Sequence, residues 1–236
     1  MDTSTLTVLE LRRYRMRPGL RDAFLDLFEQ VLLEPLEDAG MQVLGQFRDA
    51  DDPDLCVWMR GFADMAQRRR GLEAFYGSDF WWAHRDAVNA TLVDSDDVFL
   101  LRPAWPGGGL VRSSRAPANV HRAPPGCLLA TAWCRIDPAI ATRLADGRDA
   151  VRASLQAAGA LAAGWYVQET TPNDFPRLPV RTGEHALACF AIFPDLASAR
   201  IHADAASAAL QAGGIDAPAA PIRHLLLPSA RSAVHA

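Results

Sequence analysis

The chain has 236 residues, half of them apolar and 22% charged, with a formal net charge of −4. That is enough mass for one large domain or two of about 100–150 residues. The acidic balance argues against nucleic acid as a partner, since phosphate binding needs a basic face.

The N-terminal stretch MDTSTLTVLELRRYR has no apolar h-region, and no run of about 18 apolar residues occurs anywhere; the expectation is a soluble, cytoplasmic protein with no membrane partner. The opening strand TVLELRRYRM alternates: Leu9 and Leu11 point one way, Glu10, Arg12 and Tyr14 the other. After Pro18 and Gly19, Leu20, Phe24, Leu27, Phe28, Val31 and Leu32 share a helical face, with Pro35 expected to kink or end the helix and Gly40 to follow it. QVLGQFRD and LCVWMRGF are strands joined by the acidic turn DADDPD. A helix capped by Asp64 follows, then one from Ser78 or Asp79 to about Asn89, and VFLLRP closes the half as a strand.

Residues 105–126 are rich in proline and glycine and read as a surface linker. Beyond it the same order returns: strand CLLATAWCRID, a helix over 139–158, strands GWYVQETT and HALACFAIF, a helix from Pro194, and strand APIRHLLLP. Phe62, Asp64, Ala66 and Arg69 are echoed at equal spacing by Phe193, Asp195, Ala197 and Arg200, which points to a tandem duplication. The expected fold is α+β: two tandem ferredoxin-like β-α-β-β-α-β units, residues 1–104 and 127–230 with a tail at 231–236, packing sheet to sheet as an intramolecular α+β barrel.

The first half resembles the NIPSNAP family of dimeric α+β barrel proteins. The resemblance rests on Glu10-Leu11-Arg12-x-Tyr14 with Pro18-Gly19, Phe28, Leu32 and Pro35, Val43-Leu44-Gly45-Gln46-Phe47, Trp58 ahead of Phe62, and Leu100-Leu101-Arg102-Pro103. It covers residues 8–103, and the second half looks like a diverged copy. The resemblance implies the barrel fold; the wider superfamily of similar barrels includes cofactor-independent oxygenases, haem-using enzymes, isomerases, cyclases and plain ligand binders, so fold alone does not fix a reaction.

Candidate site residues fall in two places. In YGSDFWWAH, Trp81, His84 and Arg85 are i, i+3 and i+4 neighbours on a helix, and Phe80 lies four residues before His84. His84 is the candidate acid–base group, Trp81 and Trp82 the candidate walls; the alternative has the rings as core and His84 bonded to a nearby carbonyl. The segment has no aromatic counterpart between Arg200 and Pro228, which favours the functional side. On the opening strand, Arg12 suits an acidic group and Tyr14 a hydrogen bond, with Glu10 beside them; the alternative is an ion pair at the barrel rim. Cys56, Cys127, Cys134 and Cys189 form no CxxC pair and read as buried hydrophobes. The turn Asp49–Asp54 fails the EF-hand pattern, and Arg68-Arg69-Arg70 reads as a solvated helix face.

Two functions follow as expectations. The first is a binder of a small, mostly apolar or aromatic molecule in a pocket of the first half, extending to a cofactor-independent isomerase, cyclase or oxygenase; no metal or cofactor has a signature, haem on His84 being the one option kept open. The second is a non-catalytic interaction protein whose aromatic cluster is core or subunit contact, and a homodimer is compatible with either.

Overall fold

The computed structural model describes residues 6–218 and 220–236. Eight antiparallel strands close into a barrel: β1 (Val8–Met16), β2 (Gln42–Asp49), β3 (Leu55–Phe62), β4 (Leu92–Pro103), β5 (Cys127–Trp133), β6 (Ala162–Gln168), β7 (Leu187–Phe193) and β8 (Ile222–Pro228), in the order β1-β3-β2-β8-β5-β7-β6-β4. Each half contributes four adjacent strands. The edges a four-stranded sheet would leave open are paired at two short seams, β2 with β8 over Phe47–Asp49 and β4 with β6 over Leu101–Pro103. Leu9 and Leu11 join Phe47, Met59, Phe99, Phe190 and Ile192 in the core that fills the lumen. Glu10, Arg12 and Tyr14 therefore face outward, beneath the first half's helices.

Those helices are α1 (Arg21–Leu27), α2 (Leu33–Asp38), α3 (Met65–Tyr76) and α4 (Asp79–Asn89). Pro35 does not end the first one. A π-helical turn over Phe28–Leu32 joins α1 to α2, with the Leu33 amide donating to the Phe28 carbonyl. The proline then falls in the first turn of α2, where its missing N–H leaves no gap. The buried face is Phe24, Leu25, Phe28, Leu32, Leu33 and Leu36, while Leu20 is exposed. Asp64 and Ser78 cap α3 and α4, accepting from the amides of Gln67 and Trp81.

In the second half the expected helix over 139–158 is two, α5 (Ile140–Asp146) and α6 (Arg148–Ala157). They part at Gly147, where a Cβ would lie 2.7 Å from the Gly213 carbonyl oxygen beyond α8 (Ala205–Ala212); only glycine allows that approach. α7 (Leu196–Ile201) is capped by Asp195 through the Ser198 amide. The segment expected as a surface linker is partly built in: Trp105 packs in the second half's core and Leu110 in the lumen. The expected tail is also anchored, with Val234 in the lumen core and the Arg231 amide donating to Glu29 Oε1 at 2.8 Å.

Candidate functional site

The outward face of β1 meets β3 and α3 in a buried charge cluster. Register places Glu10 opposite Arg60 and Arg12 opposite Trp58. Arg12 Nη1 and Arg60 Nε donate to Glu10 Oε2, each at 2.7 Å, and Arg68 Nε donates to Oε1 at 2.7 Å. Glu10, Arg60 and Arg68 are 0% exposed. Arg12 Nε donates to Tyr14 Oη at 2.8 Å, and Arg60 Nη1 lies 3.4 Å from Tyr76 Oη. The guanidiniums of Arg12 and Arg60 sit 5.5 and 5.2 Å from the centre of the Trp58 ring.

Burial alone would raise the Glu10 pKa, but Arg60, Arg12 and Arg68 together outweigh it and hold the carboxyl far below the usual range. Burial likewise works against the charge on Arg12, and contacts with Tyr14 and Glu10 reverse the effect. Burial pushes the Tyr14 phenol up. The result is one carboxylate facing three guanidiniums. The next acid is Asp174, from the β6–β7 connection of the other half: Arg68 Nη1 donates to its Oδ1 at 2.9 Å and to Asn173 Oδ1 at 3.0 Å. Two buried donors, Arg68 Nη2 and Trp58 Nε1, have no hydrogen-bond partner among the described residues.

The aromatic segment divides. Tyr76 is buried, and Trp81 packs edge-on to it with ring centres 4.9 Å apart, so Trp81 adjoins the cluster through Tyr76. Trp82 is 50% exposed and lies under the Arg85 guanidinium, 4.1 Å away, at the surface. His84 stacks on Phe80 at 4.3 Å, and its Nδ1 lies 2.8 Å from the Phe80 carbonyl oxygen. Its ring contacts reach Arg60 indirectly, through Phe80, Phe75 and Tyr76. The structure thus brings Glu10, Arg12 and Tyr14 together, joins Trp81 to them, leaves Trp82 exposed, and sets His84 and Arg85 half-buried along the Trp81–Val88 face of α4.

Sequence reasoning missed Arg60, Arg68, Trp58, Asp174 and Phe175. Arg68 is a correction: it is not part of a solvated face, because it shares the inner face of α3 with Leu72 and Phe75, an i, i+4, i+7 spacing that was there to read. Arg60 carried a signal too, as a lone charge in an otherwise apolar strand. Asp174 and Phe175 carried none, since their contacts cross from one half to the other.

Elsewhere, a cavity of about 490 Å³ opens at the barrel rim between Asp49, His224 and Arg223. Its histidine is fully engaged: Asp49 Oδ2 lies 2.7 Å from Nδ1, and Arg13 Nη1 lies 3.2 Å from Nε2. Asp49 also accepts the amides of Asp51 and Asp52, so the acidic turn is internally bonded. No group of three or more His, Cys, Asp or Glu side chains suited to a metal occurs among the described residues. Among them too, no helix is long and apolar enough to cross a membrane.

No curated protein matches the chain. Solved structures do match over nearly its whole length. A putative monooxygenase from Lactobacillus acidophilus NCFM aligns with 96% of this chain and 98% of its own, at TM-score 0.59 and 8% identity. A putative monooxygenase from Fusobacterium nucleatum aligns over 95% and 93%, at TM-score 0.57 and 10% identity. An anthrone oxidase-like protein aligns over 100% and 98%, at TM-score 0.57 and 10% identity. At these identities the likeness is one of fold. The NIPSNAP family model matches residues 9–105, the stretch that builds β1 to β4 and the charge cluster, so the first half of the chain is similar to NIPSNAP proteins.

Proposed function

We propose that the first half binds a small molecule with an anionic group and an apolar or aromatic body, between its sheet and helices α3 and α4. The observation that carries this is a comparison between the halves. We infer that residues 1–104 and 127–230 are copies of one ferredoxin-like unit. In support, strand order repeats from one half to the other, and Asp64 and Asp195 cap their helices with nearly the same backbone angles. Val8 pairs with Phe62 as Cys127 pairs with Phe193, so Glu10 and Arg60 correspond to Leu129 and Ala191, which pair the same way. Counting from the two caps, Arg68 corresponds to Ala199. The second half fills all three positions with buried apolar residues.

The fold therefore does not require these charges, and a buried group of them is costly unless it is paired. Three guanidiniums against Glu10 leave an excess that suits a carboxylate or other anion, and Arg presents the planar fork such groups prefer. Trp58, Tyr76 and Trp81 supply ring surface for an apolar body. We propose binding, with Glu10, Arg12, Tyr14 and Trp81 in the site; Trp82 and Arg85 lie on the surface of the same helix. His84 as an acid–base group would first have to leave the Phe80 carbonyl. The names of the structural neighbours, putative monooxygenase and anthrone oxidase-like protein, are compatible with a small-molecule enzyme and name no reaction for this chain.

The test is a thermal-shift screen of the intact protein with matched pairs of small carboxylates and their neutral amides. A ligand at about 100 times its Kd adds about 2.7 kcal/mol of stability. Carboxylates are expected to raise Tm and amides not. The proposal fails if no carboxylate does so, or if the rise survives in Arg68→Gln.

A further inference from the structure

We propose that residues 172–178, the tip of the β6–β7 connection, act as a built-in competitor for the anion site, and that the ligand they stand in for is a small aryl carboxylate. This rests on the binding site proposed above. The connection runs from the end of β6 at Gln168 to the start of β7 at Leu187 with no helix or strand. A structureless connection of more than about 12–15 residues inside a compact protein is uncommon, and is usually either a functional loop or a linker. This one leaves its own half and docks on the other.

Consecutive residues in the tip present the two chemical features that the site accepts. The Asp174 carboxylate takes a hydrogen bond from Arg68, the one guanidinium of the cluster turned toward the loop. The Phe175 ring is buried in the first half's core, 6.1 Å from the Tyr76 ring. Together they place an anion and a phenyl group side by side against Arg68 and Tyr76. The ion pair is at the solvent edge, with Asp174 27% exposed, so withdrawing the tip would open the cluster to water.

The tip is built to move as a unit. Asn173 bonds the Leu178 carbonyl and the Phe175 amide, and Pro172, Pro176 and Pro179 stiffen the chain around them. The neck below it is pinned: the amides of Glu169 and Arg181 donate to the carbonyls of Leu100 and Val98 on β4, and Gln168 Nε2 reaches the Arg181 carbonyl at 3.0 Å. A cavity of about 420 Å³, lined by Leu100, Glu169, Asn173 and Val180 among others, adjoins the tip and gives it room to swing.

An intramolecular competitor lowers apparent affinity by the fraction of time it vacates the site. Calorimetric titration of the full-length protein with phenylacetate, and with phenylacetamide as the neutral control, tests this. Asp174→Ala/Phe175→Ala is expected to bind phenylacetate at least about tenfold more tightly than the wild type. Neither protein should bind phenylacetamide, and adding Arg68→Gln should abolish binding. Equal affinity in wild type and double variant overturns the competitor and leaves the site standing. No binding by either, with the variant's near-ultraviolet circular dichroism unchanged, overturns both. Should the variant fail to fold, hydrogen exchange on the wild type decides. Phenylacetate should speed exchange of the amides at 173–175, and binding that slows it or leaves it unchanged overturns the competitor, while no binding overturns the site as well.

Discussion

Removing the Glu10 carboxylate strands three buried guanidiniums, since Arg12, Arg60 and Arg68 all meet it at 2.7 Å. Breaking a buried ion cluster from one side costs about 3–5 kcal/mol, whereas replacing the whole cluster with apolar side chains is neutral or stabilising by about 1–4 kcal/mol. Glu10→Gln should therefore lose several kcal/mol in urea unfolding. Glu10→Leu/Arg12→Met/Arg60→Met/Arg68→Met should keep or gain stability while losing any anion binding; a quadruple variant as unstable as the single one would mean the cluster is structural after all. The same carboxyl gives a pH dependence. Its folded pKa is far below the ordinary 4.5, so its stabilisation is complete above that value and declines as pH falls below it. Wild-type stability should drop more steeply below about pH 4.5 than that of Glu10→Gln, and parallel acid curves for the two would contradict the assignment.

At the scale of elements, the cap at Asp64 was the most legible feature, because an N-cap is a local hydrogen bond between a side chain and an amide three residues on; Asp195, legible only as its echo, turns out to cap α7 in the same way. Asp64 and Asp195 make it at 2.6 and 2.7 Å. Replacing either by Ala should cost about 1 kcal/mol, within about 0.5–2, in thermal unfolding; a cost near zero at Asp195 would weaken the claim that the two caps are equivalent. The strands QVLGQFRD and LCVWMRGF were equally legible, and both match β2 and β3 end to end. What failed depended on tertiary contact. The break at Gly147 answers to Gly213 across the helix pair, and the passage through Pro35 depends on a π turn that no periodicity announces. In the site, Glu10, Arg12 and Tyr14 were legible as a strand face. The direction of that face was not, because both sides of β1 are buried and alternation marks them equally well.

For the whole molecule, closure decides that direction. One face of each four-stranded sheet turns to the lumen and is covered mainly by the other half, with Leu110 and Val234 beside it, so Leu9, Leu11, Phe47, Met59 and Phe99 depend on Phe190, Ile192 and Leu226 for much of their burial. The halves are joined by narrow seams, each with three registered residue pairs. Polar contacts reinforce them: His224 of β8 is held between Asp49 and Arg13 of the first half, and Arg181 reaches Asp97 at 3.2 Å. Such a barrel cannot be divided without exposing its core, since an apolar sheet face must be covered by something. The fragment 6–105 contains all four strands of the first sheet and none of its lumen cover. It should therefore pair with a second copy of itself, sheet on sheet, in place of the missing half. Light scattering on the purified fragment is expected to give twice its chain mass, with a Tm that rises with protein concentration. A monomeric fragment with a cooperative melt would show instead that the outer layer of helices suffices, and that the lumen packing between the halves contributes little to holding the sheet together.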